Sequence, residues 1–273
     1  MTPNGQDWAR EYVLSEDLAT KLAPGPRGPL AEHHREPERL GRPGRALNLV
    51  VTERAERIPR AGALSQASAV ARLLHVFVHH EIQAAELCAW ALLAFPETPR
   101  EFREGLLGIL DDEVRHAAAY ARRVEELGSR YGELPVRDWF WQRTLGCETP
   151  LQYVALMGLG FEGGNLEHAR RFERQLREAG DGRSADLVRQ VGREEVAHVR
   201  FAARWFCRWT GRDLEDGPDF DAWRDALPPP LTPAVLRGRP LDRERRSRAG
   251  LGREYLDRLD EWTDTTSRHP EPR

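Results

Sequence analysis

The chain has 273 residues, with 41 Lys or Arg against 44 Asp or Glu, a net charge of −3, and 40% hydrophobic residues. That hydrophobic content supports a sizeable core, and the slightly acidic balance argues against a global attraction to nucleic acid or to an anionic membrane. Cys88, Cys147 and Cys207 are far apart and lack a C-x-x-C spacing, which argues against a disulfide framework or a zinc–thiolate site. No uninterrupted apolar run reaches the ~20 residues needed to span a bilayer, so a soluble, cytoplasmic protein without a membrane partner is expected.

Residues 1–62 are read as a Pro/Gly/Arg-rich N-terminal extension, exemplified by Ala23-Pro24-Gly25-Pro26-Arg27-Gly28-Pro29 and Gly41-Arg42-Pro43-Gly44. Such stretches do not hold long helices. A short amphipathic helix within 8–22 and an extended piece over 46–51 are expected to wrap the main body, with disorder of part of the region as the alternative. From about 65 to 95 the pattern becomes helical, Val70, Leu73, Leu74, Phe77, Ile82, Ala85, Cys88 and Ala89 recurring at threes and fours, and Pro96 ends it. A second helix opens with Thr98-Pro99-Arg100-Glu101, where Thr98 suits the cap and Glu101 completes a capping box, and is stopped by Gly128. A third repeats the device with Thr149-Pro150-Leu151-Gln152 and runs to the turn Gly180-Asp181-Gly182, and a fourth spans about 184–210 and stops at Gly211. These are four helices of about 27 to 31 residues, ~40 Å each. The expected layout is an all-α four-helix bundle over 63–211, preceded by the N-terminal extension and followed by a helical C-terminal extension over 212–273.

Two stretches carry chemistry: Asp112-Glu113-Val114-Arg115-His116 and Glu194-Glu195-Val196-Ala197-His198. On a helix, a glutamate three residues before a histidine lies about 60° from it and roughly 4.5 Å along the axis, close enough for both to hold one metal ion. One such pair is common by chance, but here the pattern repeats. Glu81 lies 32 residues before Glu113, and Glu162 lies 33 before Glu195. The first two helices are joined so briefly that they must be antiparallel neighbours. Around a turn centred near Glu97, Glu81 is 16 residues before and Glu113 is 16 after, whereas Glu86 is 11 before and faces elsewhere. Around Asp181, Glu162 is 19 before while Glu195 and His198 are 14 and 17 after. Glu167 fits that height equally well, and Glu162 is preferred because it reproduces the earlier spacing. Four carboxylates and two imidazoles form an oxygen-rich set suited to iron or manganese and poorly suited to structural zinc. Buried without compensation, such carboxylates would cost several kcal/mol each. His79, His80, Glu86 and His168 are better explained as surface or satisfied interior groups.

The repeated Glu…Glu-x-x-His on four helices resembles the ferritin-like diiron carboxylate superfamily. Within it the chain is similar to a bacterial family known as domain of unknown function 455. The resemblance rests on His79-His80-Glu81-Ile82-Gln83-Ala84-Ala85-Glu86-Leu87, on the two stretches around Glu113 and Glu195, on Glu162 with 17 residues between it and Gly180-Asp181, and on Pro240-Leu241-Asp242 through Arg248-Ala249-Gly250-Leu251. It implies a ferritin-like bundle whose third helix runs parallel to the second after a crossover. It also implies a cofactor of two Fe ions, or one Mn and one Fe. Glu113 and Glu195 would bridge them, Glu81 and Glu162 would be terminal ligands, and His116 and His198 would bind one metal each. Asp112 and Glu194 would orient the opposite pair's histidine, with an ion pair to Arg115 or another arginine as the alternative.

The expected function is oxidation or hydroxylation of a small organic substrate by dioxygen at this dinuclear site, with an external electron donor and a homodimer among the expected partners. A ferroxidase or peroxide-consuming protein, and a non-catalytic metal-stabilised scaffold, are the alternatives. Gly158, Gly160, Gly163 and Gly164 surround Glu162 and are read as opening space for dioxygen and substrate, as accompanying a π-bulge, or as serving tight packing. The arginine-rich tail over 237–253 could contact an anion such as RNA, but charge runs are usually solvated faces and nucleic acid is not expected as a partner.

Overall fold

The computed structural model describes residues 4–30, 35–54 and 57–264, which form an all-α helical bundle architecture with one isolated parallel bridge, between Val51 and Val136. Residues 1–3, 31–34 and 55–56 of the expected N-terminal extension and 265–273 of the C-terminal one lie outside the described residues. The chain forms two compact units, one of Met1–Pro150 with Arg171–Val191 and the other of Leu151–Arg170 with Gly192–Arg273.

In the first unit, α1 (Gly5–Leu14) is capped by Asn4, whose side chain accepts from the Gln6 and Asp7 N–H groups, and α2 (Leu18–Leu22) is capped in the same way by Asp17. Both follow the helix-start chemistry of short polar side chains. The long helix α3 (Ala67–Ala94) is buried at every position from Ala84 to its end. A helix buried all round must be apolar all round, and Ala84-Ala85, Leu87-Cys88-Ala89-Trp90-Ala91-Leu92-Leu93-Ala94 meets that condition. The N-terminal extension supplies part of the cover: the Trp90 indole donates to the Leu40 carbonyl at 3.1 Å, and the Glu38 N–H donates to that of Leu93 at 2.9 Å. The expected wrap is therefore present, with Val51 paired to Val136 at its end.

After Pro96 the chain turns into α4 (Arg100–Glu126), which has no side-chain cap; the Thr98 hydroxyl donates back to the Phe95 carbonyl at 2.8 Å instead. The expected capping box thus gives way to a hydroxyl that closes the preceding turn. Gly128, at φ 82°, ends α4 where Gly was expected to. Next come α5 (Trp139–Thr144), which packs on α3, and α6 (Pro150–Tyr153) with proline at its first position. A π-helical stretch, Val154–Glu162, continues α6 into α7 (Gly163–Glu178), and α8 (Gly182–Thr210) follows. Asp181 caps α8, accepting from the Ser184 N–H at 2.9 Å, and is itself gripped by Arg123 near the end of α4 at 3.0 Å. Farther back on α4 and α7, Tyr120 and Phe172 both pack against Phe77. The last turns of α7 therefore run in the same direction as α4, so the 128–148 connection returns along the bundle as a crossover.

In the second unit, the glycines around Glu162 are points of close approach. A Cβ at Gly158 would overlap that of Ala202 on α8, one at Gly160 would come to 3.0 Å from Leu236, and one at Gly163 to 3.0 Å from the Arg246 guanidinium. Of the three readings of these glycines, close packing and π-helical geometry are the ones present. Trp223 of α9 (Phe220–Ala226) donates its indole N–H to the Ala155 carbonyl within the π stretch at 2.9 Å. The tail continues into α10 (Arg243–Arg248) and α11 (Arg253–Glu261), and its arginines are largely used internally. Arg246 binds Glu167, Arg243 pairs with Asp257, and Arg237 donates to the carbonyls of Leu259, Asp260 and Trp262. No helix among the described residues is long and apolar enough to cross a membrane.

Candidate metal centre

Each unit holds a triad of two carboxylates and one imidazole. In the first, Glu81 of α3 and Glu113 and His116 of α4 bring one ligand atom each to within 4.8 Å of one another, and all three residues are buried. His116 Nδ1 lies 3.4 Å from Glu113 Oε2 and 3.6 Å from Glu81 Oε2. The equal distances of Glu81 and Glu113 from the turn at Glu97 bring them to one level, as antiparallel helices require. Burial disfavours the His116 imidazolium, but the Glu113 and Glu81 carboxylates outweigh it and push its pKa up to about 12. The two carboxylates thus favour a positive charge beside them.

In the second unit, Glu162 closes the π-helical stretch, and Glu195 and His198 lie on α8; their ligand atoms also fall within 4.8 Å of one another. Glu195 and His198 are buried and Glu162 is half-buried. His198 Nδ1 is 2.9 Å from Glu195 Oε2, and the Asn165 amide lies 3.4 Å from Glu195 Oε1. Asn165 was missed in the sequence, although it stands three residues after Glu162, at the spacing that singled out the histidines. Each triad could hold a metal ion, and its donors suit a moderately hard cation such as iron or manganese.

The rival carboxylates are accounted for differently. Glu86 is fully buried and neutralised by Arg45 at 2.5 Å and Lys21 at 2.8 Å, the only lysine of the chain. Burial works against the Arg45 charge, and the Glu86 and Asp138 carboxylates overcome it and raise its pKa. His79 joins this network, its ring nitrogens meeting Tyr131 at 2.7 Å and Asp138 at 3.0 Å. Glu167 is buried against the Arg246 guanidinium, both bonds at 2.8 Å, and accepts from the N–H groups of Gly238 and Asp242 at 3.0 Å. His80 packs on Phe140, and His168 is exposed. Asp112 is 41% exposed and pairs with Arg115 at 2.6 Å, while Glu194 is half-buried beside Glu195.

These features define a helical protein with two like-built carboxylate–histidine groups, each able to take a metal ion. A family model, "Protein of unknown function (DUF455)", matches residues 6–257, and the chain belongs to that family. No curated protein and no solved structure matches it.

Proposed function

We propose that the two triads act together as one dinuclear centre of the ferritin-like kind, holding two iron ions or one manganese and one iron. The supporting observation is the repetition: each triad joins a glutamate from one long helical stretch to a Glu-x-x-His pair on the next, which is the donor arrangement of carboxylate-bridged bundles. In this reading Glu81, Glu113 and His116 with Glu162, Glu195 and His198 would hold the two ions, Glu113 and Glu195 as the ligands shared between them and Glu81 and Glu162 as ligands of one ion each. Bound there, the metals would supply the redox electrons for dioxygen to oxidise or hydroxylate a small organic substrate, with an external donor restoring the reduced state. The chain's own residues do the positioning. Asn165 and His198 fix the Glu195 carboxylate from two sides. Burial of Glu113 and Glu195 keeps bulk water from competing for their oxygens.

The test is metal content per chain after growth or reconstitution with iron and manganese, with optical spectra of the reduced protein before and after dioxygen. About two metals per chain, lost together in Glu113→Ala and in Glu195→Ala, is the expected result on the dinuclear stoichiometry. No bound metal after reconstitution would end the metal reading. Two bound metals with no dioxygen uptake under any reductant would leave a metal-stabilised scaffold.

A further inference from the structure

Between α4 and the first half of α8, wholly within the first unit, lies a cavity of about 380 Å³. Four arginines line it, Arg115, Arg122, Arg123 and Arg183, together with Glu126 and with His116 of the metal triad. Arg115 pairs with Asp112, Arg123 with Asp181 and Glu126, and Arg183 with Glu126. Among the described residues, Arg122 has no acidic partner. Arg115, Arg122 and Arg183 are exposed and form the rim, whereas His116 and Val191 are buried at depth. Ala119, Leu187 and Val191 make the intervening wall apolar, and the small Ala119, one turn beyond His116, leaves the space beside it.

We propose that this cavity binds a small organic anion, held by its carboxylate or phosphate at the arginine rim with its apolar portion pointing down toward His116. Guanidinium forks match both oxyanions in a bidentate way. The volume is at the lower end of small-molecule pockets, roughly 300–1,000 Å³, which favours a small molecule over a polymer. The role as a substrate pocket rests on the dinuclear reading; the anion site itself does not.

The experiment uses the full chain, first metal-free, with calorimetric titration of hexanoate, hexyl phosphate and the neutral control 1-hexanol. Binding of at least one of the two anions but not of hexanol, weakened about tenfold or more in both Arg122→Gln and Arg183→Gln, is expected, with unchanged thermal midpoints showing that both variants fold. Comparison of hexanoate with hexyl phosphate tells which headgroup the rim prefers. Absence of anion binding, or binding unchanged in both variants, overturns the proposal. So does binding of a single-stranded RNA oligonucleotide when neither small anion binds. The same titration on iron-loaded protein is followed by the optical and EPR signals of the metal. A perturbation by the anion supports the substrate role, and none overturns it. Arginine-dependent anion binding by a chain that takes up no metal keeps the anion site and removes the dinuclear reading.

Discussion

His75 accepts a hydrogen bond from the Gly132 N–H through Nε2 at 3.0 Å, so the neutral ring carries its proton on Nδ1. Burial, with a smaller contribution from His79, pulls its pKa from 6.5 down to about 4. The folded pKa is therefore below the unfolded one. The stability from keeping this ring neutral is complete above about pH 6.5 and is lost as the pH falls toward 4, on the order of 3 kcal/mol at most. Urea unfolding of His75→Gln, whose amide oxygen can still accept from Gly132, should show a shallower loss over that window; an unchanged pH slope would rule the mechanism out. Glu86 gives a sharper prediction at the same scale. Glu86→Gln leaves Lys21 and Arg45 buried with one carboxylate fewer and should cost about 3–5 kcal/mol. Adding Lys21→Met should recover part of that in the same denaturation assay. Chain counting put Glu86, 11 residues before the turn against 16 for Glu81, on a different face, and it lies against Lys21 and Arg45. Its partners could not be read in the sequence, because Lys21 and Arg45 come from a stretch whose path depends on the packing of α3.

The long helices were legible because their ends are set locally, by Pro96, Gly128, Pro150, Gly180 and Gly211, and because apolar periodicity accumulates over many turns. The π-helical stretch was only partly so. Its glycine density drew attention, but the choice between an open void and close packing is made by residues distant in the chain: Ala202, Trp223, Leu236 and Arg246. At Gly158 the fit is tightest, since an added Cβ meets that of Ala202 on a rigid helix. Gly158→Ala should therefore destabilise the protein by about 1–3 kcal/mol, despite alanine's better helix propensity. Ala202→Gly in the same chain should restore part of the loss. A double-mutant cycle on denaturation midpoints measures this coupling directly, and additive effects would mean that the two positions do not meet.

Across the whole molecule, four buried glutamates among the described residues form two contrasting pairs. Glu86 and Glu167 are neutralised by lysine and arginine, while Glu113 and Glu195 stand beside the histidine three residues on in their own helix. Loop counting could not separate Glu162 from Glu167, because the residue that decides the matter, Arg246, lies 79 positions along the chain from Glu167. With Arg246, Gly238 and Asp242 all bound to it, Glu167 fastens the C-terminal segment onto α7. Glu162, at the end of the π stretch, belongs with Glu195 and His198. The two glutamates should therefore respond oppositely to substitution. Glu167→Gln should lower the melting temperature of the metal-free protein, by an amount corresponding to about 3–5 kcal/mol for an uncompensated Arg246. It should still show a rise in melting temperature on anaerobic addition of Fe²⁺, because ligand binding to the folded state adds stability. Glu162→Gln should abolish or sharply reduce the Fe²⁺-dependent rise. If Glu167→Gln instead removed the metal response and Glu162→Gln kept it, the two roles would have to be exchanged.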